Sequence, residues 1–104
     1  MFNINGETWH IVLVSPGHPS LTRSDGSITI GMCDDDVKCI YLDDTLEPDL
    51  MRKVLAHEVS HAAMFSYNVE LSPRQEELVA ILIDTYGHEI ISITNQIFNR
   101  IIFS

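Results

Sequence analysis

Residues 53–64 have the sequence KVLAHEVSHAAM, in which His57 and His61 lie four positions apart and Glu58 directly follows the first. Apolar residues and good helix formers surround them, which predicts a helix. Side chains four apart on a helix share one face, about a turn from each other, so one ion can reach both histidines. Glu58 is rotated by about 100° from His57 and so points beside such an ion. The spacing predicts a metal site with an adjacent base.

The residue types favour zinc. Neutral imidazole is a good ligand for Zn²⁺, and the ion lowers the pKa of bound water from about 15.7 to about 7, so that a nearby carboxylate can take the proton. The competing explanation is chance: shuffling this composition gives one HExxH in roughly 2% of chains. Core helices rarely bury two histidines and a glutamate without a use for them. We therefore predict His57 and His61 as zinc ligands and Glu58 as the catalytic base.

A catalytic zinc site usually has a third protein ligand and one open position. The extended metzincin pattern is excluded, because Met64 and Tyr67 stand where it requires glycine and histidine. The remaining candidates lie on the next predicted helix: Glu76, Glu77, Asp84, His88 and Glu89.

Helical phase separates these candidates. Glu76 shares a face with an apolar stripe that must turn inward, whereas Glu77 shares a face with Asp84 and His88 that is typical of a solvated surface. We predict Glu76 as the third ligand and keep Glu77 as the alternative, since the phase is uncertain by one residue.

Three further residues have alternative roles. Tyr67 and His88 are candidates for stabilising an oxyanion, although ordinary surface positions are the favoured interpretation of both. Asp84 is a candidate for orienting a ligand histidine through its second ring nitrogen, but its phase favours a solvated position.

The first half of the chain predicts strands. Residues 1–4 (MFNI) and 8–15 (TWHIVLVS) flank Asn5-Gly6, a strong hairpin signal. Residues 27–33 (SITIGMC) and 37–43 (VKCIYLD) flank an acidic turn at 34–36, which predicts a second hairpin. A hairpin centred near Asp36 would set Cys33 opposite Cys39, most simply as two small apolar residues and alternatively as a redox pair or a soft-metal site.

The second half predicts helices. Asp44 or Thr45 is a suitable cap for the first, which we expect to run to about Tyr67, with Asn68 at its C-terminal end. Ser72, Pro73 and Gln75 form a capping-box pattern that starts a long helix, bent near Gly87 and ending near residue 102. The fold class is therefore α+β: residues 1–104 form one domain with a small antiparallel sheet of three or four strands followed by two helices.

Composition limits the partners. The formal charge is −9, and the six basic residues are scattered singly, so direct nucleic-acid binding and attraction to an anionic membrane are not expected. A basic leader is missing and the longest apolar run, residues 78–83, is far shorter than a membrane span, which favours a cytoplasmic protein. The apolar segment 89–104 exceeds what a small core can cover and favours a homodimer or another partner.

The sequence resembles the small ImmA/IrrE-type metallopeptidases, which are often encoded in bacteriophages. The resemblance depends on three stretches in order: residues 31–43 (GMCDDDVKCIYLD), 52–65 (RKVLAHEVSHAAMF) and 76–82 (EELVAIL). It implies a zincin-like minimal domain of the gluzincin-like type, with His57 and His61 as zinc ligands, Glu58 as catalytic base and Glu76 or Glu77 as third ligand. It also implies that a substrate peptide adds along the strand CIYLD.

Two functions follow as hypotheses. The first is a zinc-dependent metallopeptidase that hydrolyses a peptide bond in a protein or peptide substrate, for example a repressor. The alternative is a non-catalytic, zinc-stabilised protein-binding module such as a phage anti-repressor.

Overall fold

The structure is a computed structural model that describes residues 1–103. Four strands come first: β1 (Phe2–Ile4), β2 (Glu7–Val14), β3 (Gly31–Asp34) and β4 (Cys39–Asp43). Three helices follow: α1 (Pro48–Ser66), α2 (Pro73–Leu82) and α3 (His88–Phe103), the last two joined by a π-helical segment, Ile83–Gly87. The predicted α+β class is confirmed.

The strands form one mixed sheet in the order β1-β2-β4-β3. Both predicted hairpins are present, and Asn5 and Gly6 have φ of 50° and 78°, the left-handed values that their turn requires. The prediction of an antiparallel sheet is wrong in one place, because β4 pairs with β2 in parallel. The connection 15–30 leads from β2 to β3, which lies at the edge of the sheet and is not a neighbour of β2. The second hairpin then brings β4 back between β2 and β3.

This order places β4 in the interior of the sheet and leaves β3 as the edge beside α1. The strand CIYLD is therefore not a free edge, contrary to what the family resemblance implies, because it is hydrogen-bonded on both sides. The register also corrects the cysteine prediction: Cys33 pairs with Ile40 and Cys39 with Asp34, so the two thiols point to opposite faces of the sheet.

The core lies between the sheet and α1. Trp9, Ile40, Leu42 and Ala62 are almost completely buried there, and the indole Nε1 of Trp9 donates a hydrogen bond to Ser66 Oγ at 2.9 Å. This packing fixes the position of α1 on the sheet, and so fixes which of its faces points at α2.

Local signals set the helix ends. Asn68 has φ of 51° just after α1, and Ser72 and Gln75 form the predicted capping box at the start of α2. The cap of α1 is Glu47, later than expected, because the Asp43 carboxylate instead accepts hydrogen bonds from Thr45. Where the sequence predicts a bend near Gly87, the structure has the π-helical segment Ile83–Gly87, and the chain stays helical from Pro73 to Phe103. None of the described helices combines the length and hydropathy that crossing a bilayer requires.

Candidate metal centre

The two histidines of α1 converge on one point. His57 and His61 lie one turn apart, their ring centroids are 5.0 Å apart, and their Nε2 atoms approach to 3.3 Å. Both side chains are largely buried between α1 and α2. The helical spacing in the sequence therefore predicted correctly that one ion could reach both rings.

The third group at this point is Glu77 on α2. Its Oε1 lies 2.9 Å from His57 Nε2 and its Oε2 lies 3.2 Å from His61 Nε2. Ligand atoms of His57, His61 and Glu77 all fall within 4.8 Å of one another, so the three residues could hold a metal ion. Two ligands about 2.0–2.1 Å from a tetrahedral zinc ion would themselves be roughly 3.3 Å apart, which matches the spacing of the Nε2 atoms.

The predicted third ligand, Glu76, lies elsewhere. Its Oε1 contacts His61 Nδ1 at 2.6 Å, on the side of the ring away from the shared point. The preference for Glu76 assumed that an inward-facing acid would reach the ion, but the Nε2 atoms of both histidines face Glu77. The more exposed Glu77 therefore reaches the open side of the histidine pair, while Glu76 packs behind it.

Asp84 contacts the Nδ1 atom of His57, just as Glu76 contacts the Nδ1 atom of His61. Its Oδ2 lies 2.6 Å from His57 Nδ1, its side chain is only 7% exposed, and Lys53 and Thr85 donate hydrogen bonds to it. The helical phase of Asp84 predicted a solvated side chain, and this prediction is wrong. The side chain is buried against α1. A carboxylate on each Nδ1 favours the tautomer that leaves both Nε2 lone pairs facing the common point.

The charges around Asp84 keep it ionised. Burial acts to raise the pKa of Asp84, but hydrogen bonds from Lys53, His57 and Thr85 outweigh this effect and hold the pKa below its usual value. Lys53 is a residue that the sequence interpretation missed. Its signal was weak, since a lysine on the same helix four residues before a predicted ligand is common on solvated faces.

Glu58 lies beside the ligand group with a buried carboxylate. The residue is 8% exposed, and burial raises its pKa above the usual value although the two histidines act in the opposite direction. Its side chain makes no hydrogen bond within the described residues, and the described chain has no buried side-chain oxygen or nitrogen without a partner. The carboxylate oxygens therefore reach the cavity in front of the histidines.

That cavity has a volume of about 560 Å³ and is formed by α1, α2, β3 and the loop before β3. Its wall includes His57, Glu58, His61, Glu77 and Arg23, the last bringing a guanidinium to a site otherwise rich in acids. Tyr67 and His88, the two candidates for an oxyanion role, do not line it. Both are exposed, as the favoured interpretation of each predicted.

Gly31 on β3 makes room for this arrangement. A Cβ at this position would lie 2.5 Å from Val54 Cγ1 and 3.3 Å from Glu58 Cγ, so any side chain would push against α1. The sequence contained a signal for this contact, because a glycine inside a strand often marks a close approach of another element. Cys33, two residues further on, also lines the cavity, and burial raises the pKa of its thiol far above the usual value, so the thiol is protonated.

Comparison with known proteins adds no relative: no family model, no curated protein and no solved structure matches the chain.

Proposed function

We propose that this chain is a zinc-dependent metallopeptidase of the ImmA/IrrE type, which hydrolyses a peptide bond in a protein or peptide substrate. The proposal is carried by one observation: ligand atoms of His57, His61 and Glu77 meet at one point, next to the buried and otherwise uncommitted carboxylate of Glu58. The histidine spacing and the carboxylate on each Nδ1 support zinc as the ion.

Each residue of the site has its own role in the proposed reaction. Zinc held by His57, His61 and Glu77 would supply Lewis-acid chemistry at an open fourth position. Glu58 accepts a proton from the attacking water and returns it to the leaving amine, a role for which a raised pKa is suitable. Asp84 and Glu76 hold the imidazoles in orientation, and Arg23 offers a positive charge to a substrate carbonyl or carboxylate in the cavity.

The edge strand β3 is the surface on which we propose that the substrate binds. It has β4 on one side and no strand on the other, and three of its residues, Gly31, Met32 and Cys33, line the cavity. An extended peptide that adds to this edge would gain main-chain hydrogen bonds and pass in front of the ligand group. Substrate affinity would then depend weakly on side chains, apart from those that enter the cavity.

Elemental analysis of purified protein tests the metal. We expect roughly one equivalent of zinc per chain in wild type, and its loss in His61→Ala and Glu77→Gln, because each removes a ligand. His10→Ala is the matched control, since His10 is an exposed histidine of β2 and should leave the zinc content unchanged. Wild type that takes up no zinc from zinc-containing buffer, or His61→Ala that retains it, would contradict the proposal.

Catalysis is tested separately with Glu58→Gln. This variant should keep the zinc content and the circular dichroism spectrum of wild type but lose cleavage of a degenerate peptide library, read by mass spectrometry as new amino termini. Zinc-loaded wild type that yields no new amino termini would favour the alternative, a zinc-stabilised protein-binding module, and so would a cellular activity unchanged in Glu58→Gln.

A further inference from the structure

Helix α3 presents an apolar face that remains exposed. No residue of α3 is buried, and its eight large apolar side chains are between 47% and 82% exposed: Ile90, Ile91, Ile93, Ile97, Phe98, Ile101, Ile102 and Phe103. The helix continues directly from the π-helical segment, its main contacts are with that preceding turn of the chain, and the molecule extends to 54 Å in one direction. Exposed apolar surface of this size on a small protein marks an interaction site.

Seven of these side chains, all except Phe103, form one continuous face. At about 100° per residue they cover roughly half of the helix circumference, and the polar residues Glu89, Ser92, Gln96, Asn99 and Arg100 occupy the other half together with Phe103. Thr94 is the one polar residue within the apolar half, and its hydroxyl donates to the Ile90 carbonyl at 2.7 Å. Burial of this face would therefore leave no side-chain donor unsatisfied.

We propose that α3 is a dimerisation surface, on which a second copy of this chain packs its own α3 in antiparallel orientation about a two-fold axis beside Thr94. Half-exposed isoleucine and phenylalanine side chains offer on the order of 100 Å² each, so the seven side chains of the face provide roughly 700 Å² per copy, close to the area that a stable pair of proteins buries on each partner. An isologous helix pair lets one self-complementary face satisfy both copies.

Charge decides the orientation. Glu89 and Arg100 are the acidic and basic residues of α3, and they lie on the same flank of the apolar face because eleven residues make almost three complete turns. An antiparallel pair sets Glu89 beside Arg100 of the second copy, whereas a parallel pair puts the two charged flanks on opposite sides of the interface, where they do not meet. Within α3 the charges of Glu89 and Arg100 cancel. The acidic excess of the chain therefore lies outside this helix.

A cavity at the start of α3 agrees with the same register. It has a volume of about 350 Å³ and is lined by Leu82, Ile83, Gly87, Ile90 and Ile91 on the apolar side of the helix. Around a two-fold axis beside Thr94, the end of the second α3 reaches this cavity, and Ile102, on the apolar side of the second copy, would lie against it.

Sedimentation equilibrium of the full chain tests the dimer. We expect wild type to have twice the mass of the 11.8 kDa chain. Ile97→Asp should raise the dimer dissociation constant by about 100-fold or more, because two charges enter the apolar interface. Gln96→Asp, the same change on the polar half, should leave it within a few-fold. The far-UV circular dichroism spectra of both variants should match the spectrum of wild type when the samples contain the same fraction of dimer.

Charge reversal tests the orientation. Glu89→Arg and Arg100→Glu should each weaken self-association by a few-fold, while an equimolar mixture of the two should form a heterodimer, since every flanking pair is then opposite in sign. Self-association that is unchanged in both single variants would indicate a parallel pair and overturn the proposed geometry. A wild-type monomer at about 100 μM overturns the proposal, and sedimentation of that monomer with phosphatidylcholine vesicles would assign the face to a lipid surface instead.

Discussion

Helices α1 and α3 are of similar length but have opposite surroundings. α1 packs between the sheet and α2 and buries polar residues, Glu58, Ser60 and Ser66, along with apolar ones. α3 segregates its apolar and polar residues more strongly than α1 but buries none of them. An amphipathic pattern therefore predicts a face that needs a partner and does not tell whether the same chain supplies it.

The difference also separates two tasks. A metal site needs side chains held within fractions of an ångström, which requires a helix fixed by packing on several sides, as α1 is. A helix whose apolar side chains stay exposed, as those of α3 do, can be an interaction surface at little cost to the stability of the site. The chain thus places its candidate chemistry on the helix with the most contacts and its largest apolar face on the helix with the fewest.

The largest expected effect is a difference in the free energy of unfolding between a change in the core under α1 and a change on α3. Trp9→Ala should lower the free energy of unfolding by about 3–5 kcal/mol, because it empties the centre of the core and removes the hydrogen bond to Ser66. Ile97→Ala should change it by no more than about 0.5 kcal/mol in the monomer. Urea titration of dilute protein followed by circular dichroism measures both, since Trp9 is the only tryptophan and its fluorescence is lost in the first variant. Equal losses would show that α3 also packs on the body.

Local signals in the sequence were sufficient for much of the fold. The Asn5-Gly6 turn, the capping box at Ser72 and the stacking of His57 on His61 each depend on residues within five positions of one another. The parallel pairing of β2 with β4 depends on the path of residues 15–30, and no local pattern encodes that path.

The second prediction concerns the contact between β3 and α1. Gly31→Ala should cost about 1–3 kcal/mol, because its Cβ would overlap Val54 Cγ1 and force α1, with Glu58, away from the sheet. Peptide cleavage should fall more than zinc content, since Glu58 is in direct contact and the ligands are not. Val54→Ala removes the overlapping methyl groups, so the double variant should be more stable than the sum of the single changes by about 0.5 kcal/mol or more. Additive losses would place the strain elsewhere.

The candidate site was predictable only as far as one helix extends. The roles of Glu76 and Glu77 depend on how α2 is rotated against α1, a rotation of about 100° per residue that the sequence did not determine. The same uncertainty made Asp84 look solvated. Its partners His57 and Lys53 lie on α1, 27 and 31 positions earlier in the chain, and only the packing of the two helices brings the three side chains together.

The third prediction concerns the boundary of the two regions, where Asp84 occupies the π-helical segment between α2 and α3. Asp84→Asn should weaken zinc binding by about 10–100-fold, equivalent to about 1.4–2.7 kcal/mol, because an amide holds the His57 ring less firmly than a carboxylate and makes its Nε2 less basic.

Competition with a chromophoric chelator measures this change, and Asp36→Asn, in an exposed turn, is the matched control. Glu76→Gln should produce a loss of similar size through His61, since it makes the equivalent contact at the same distance. An unchanged affinity in Asp84→Asn, with a normal loss in Glu77→Gln, would mean that packing against α2 alone orients His57. The π-helical segment would then join α2 to α3 without a role in the metal site.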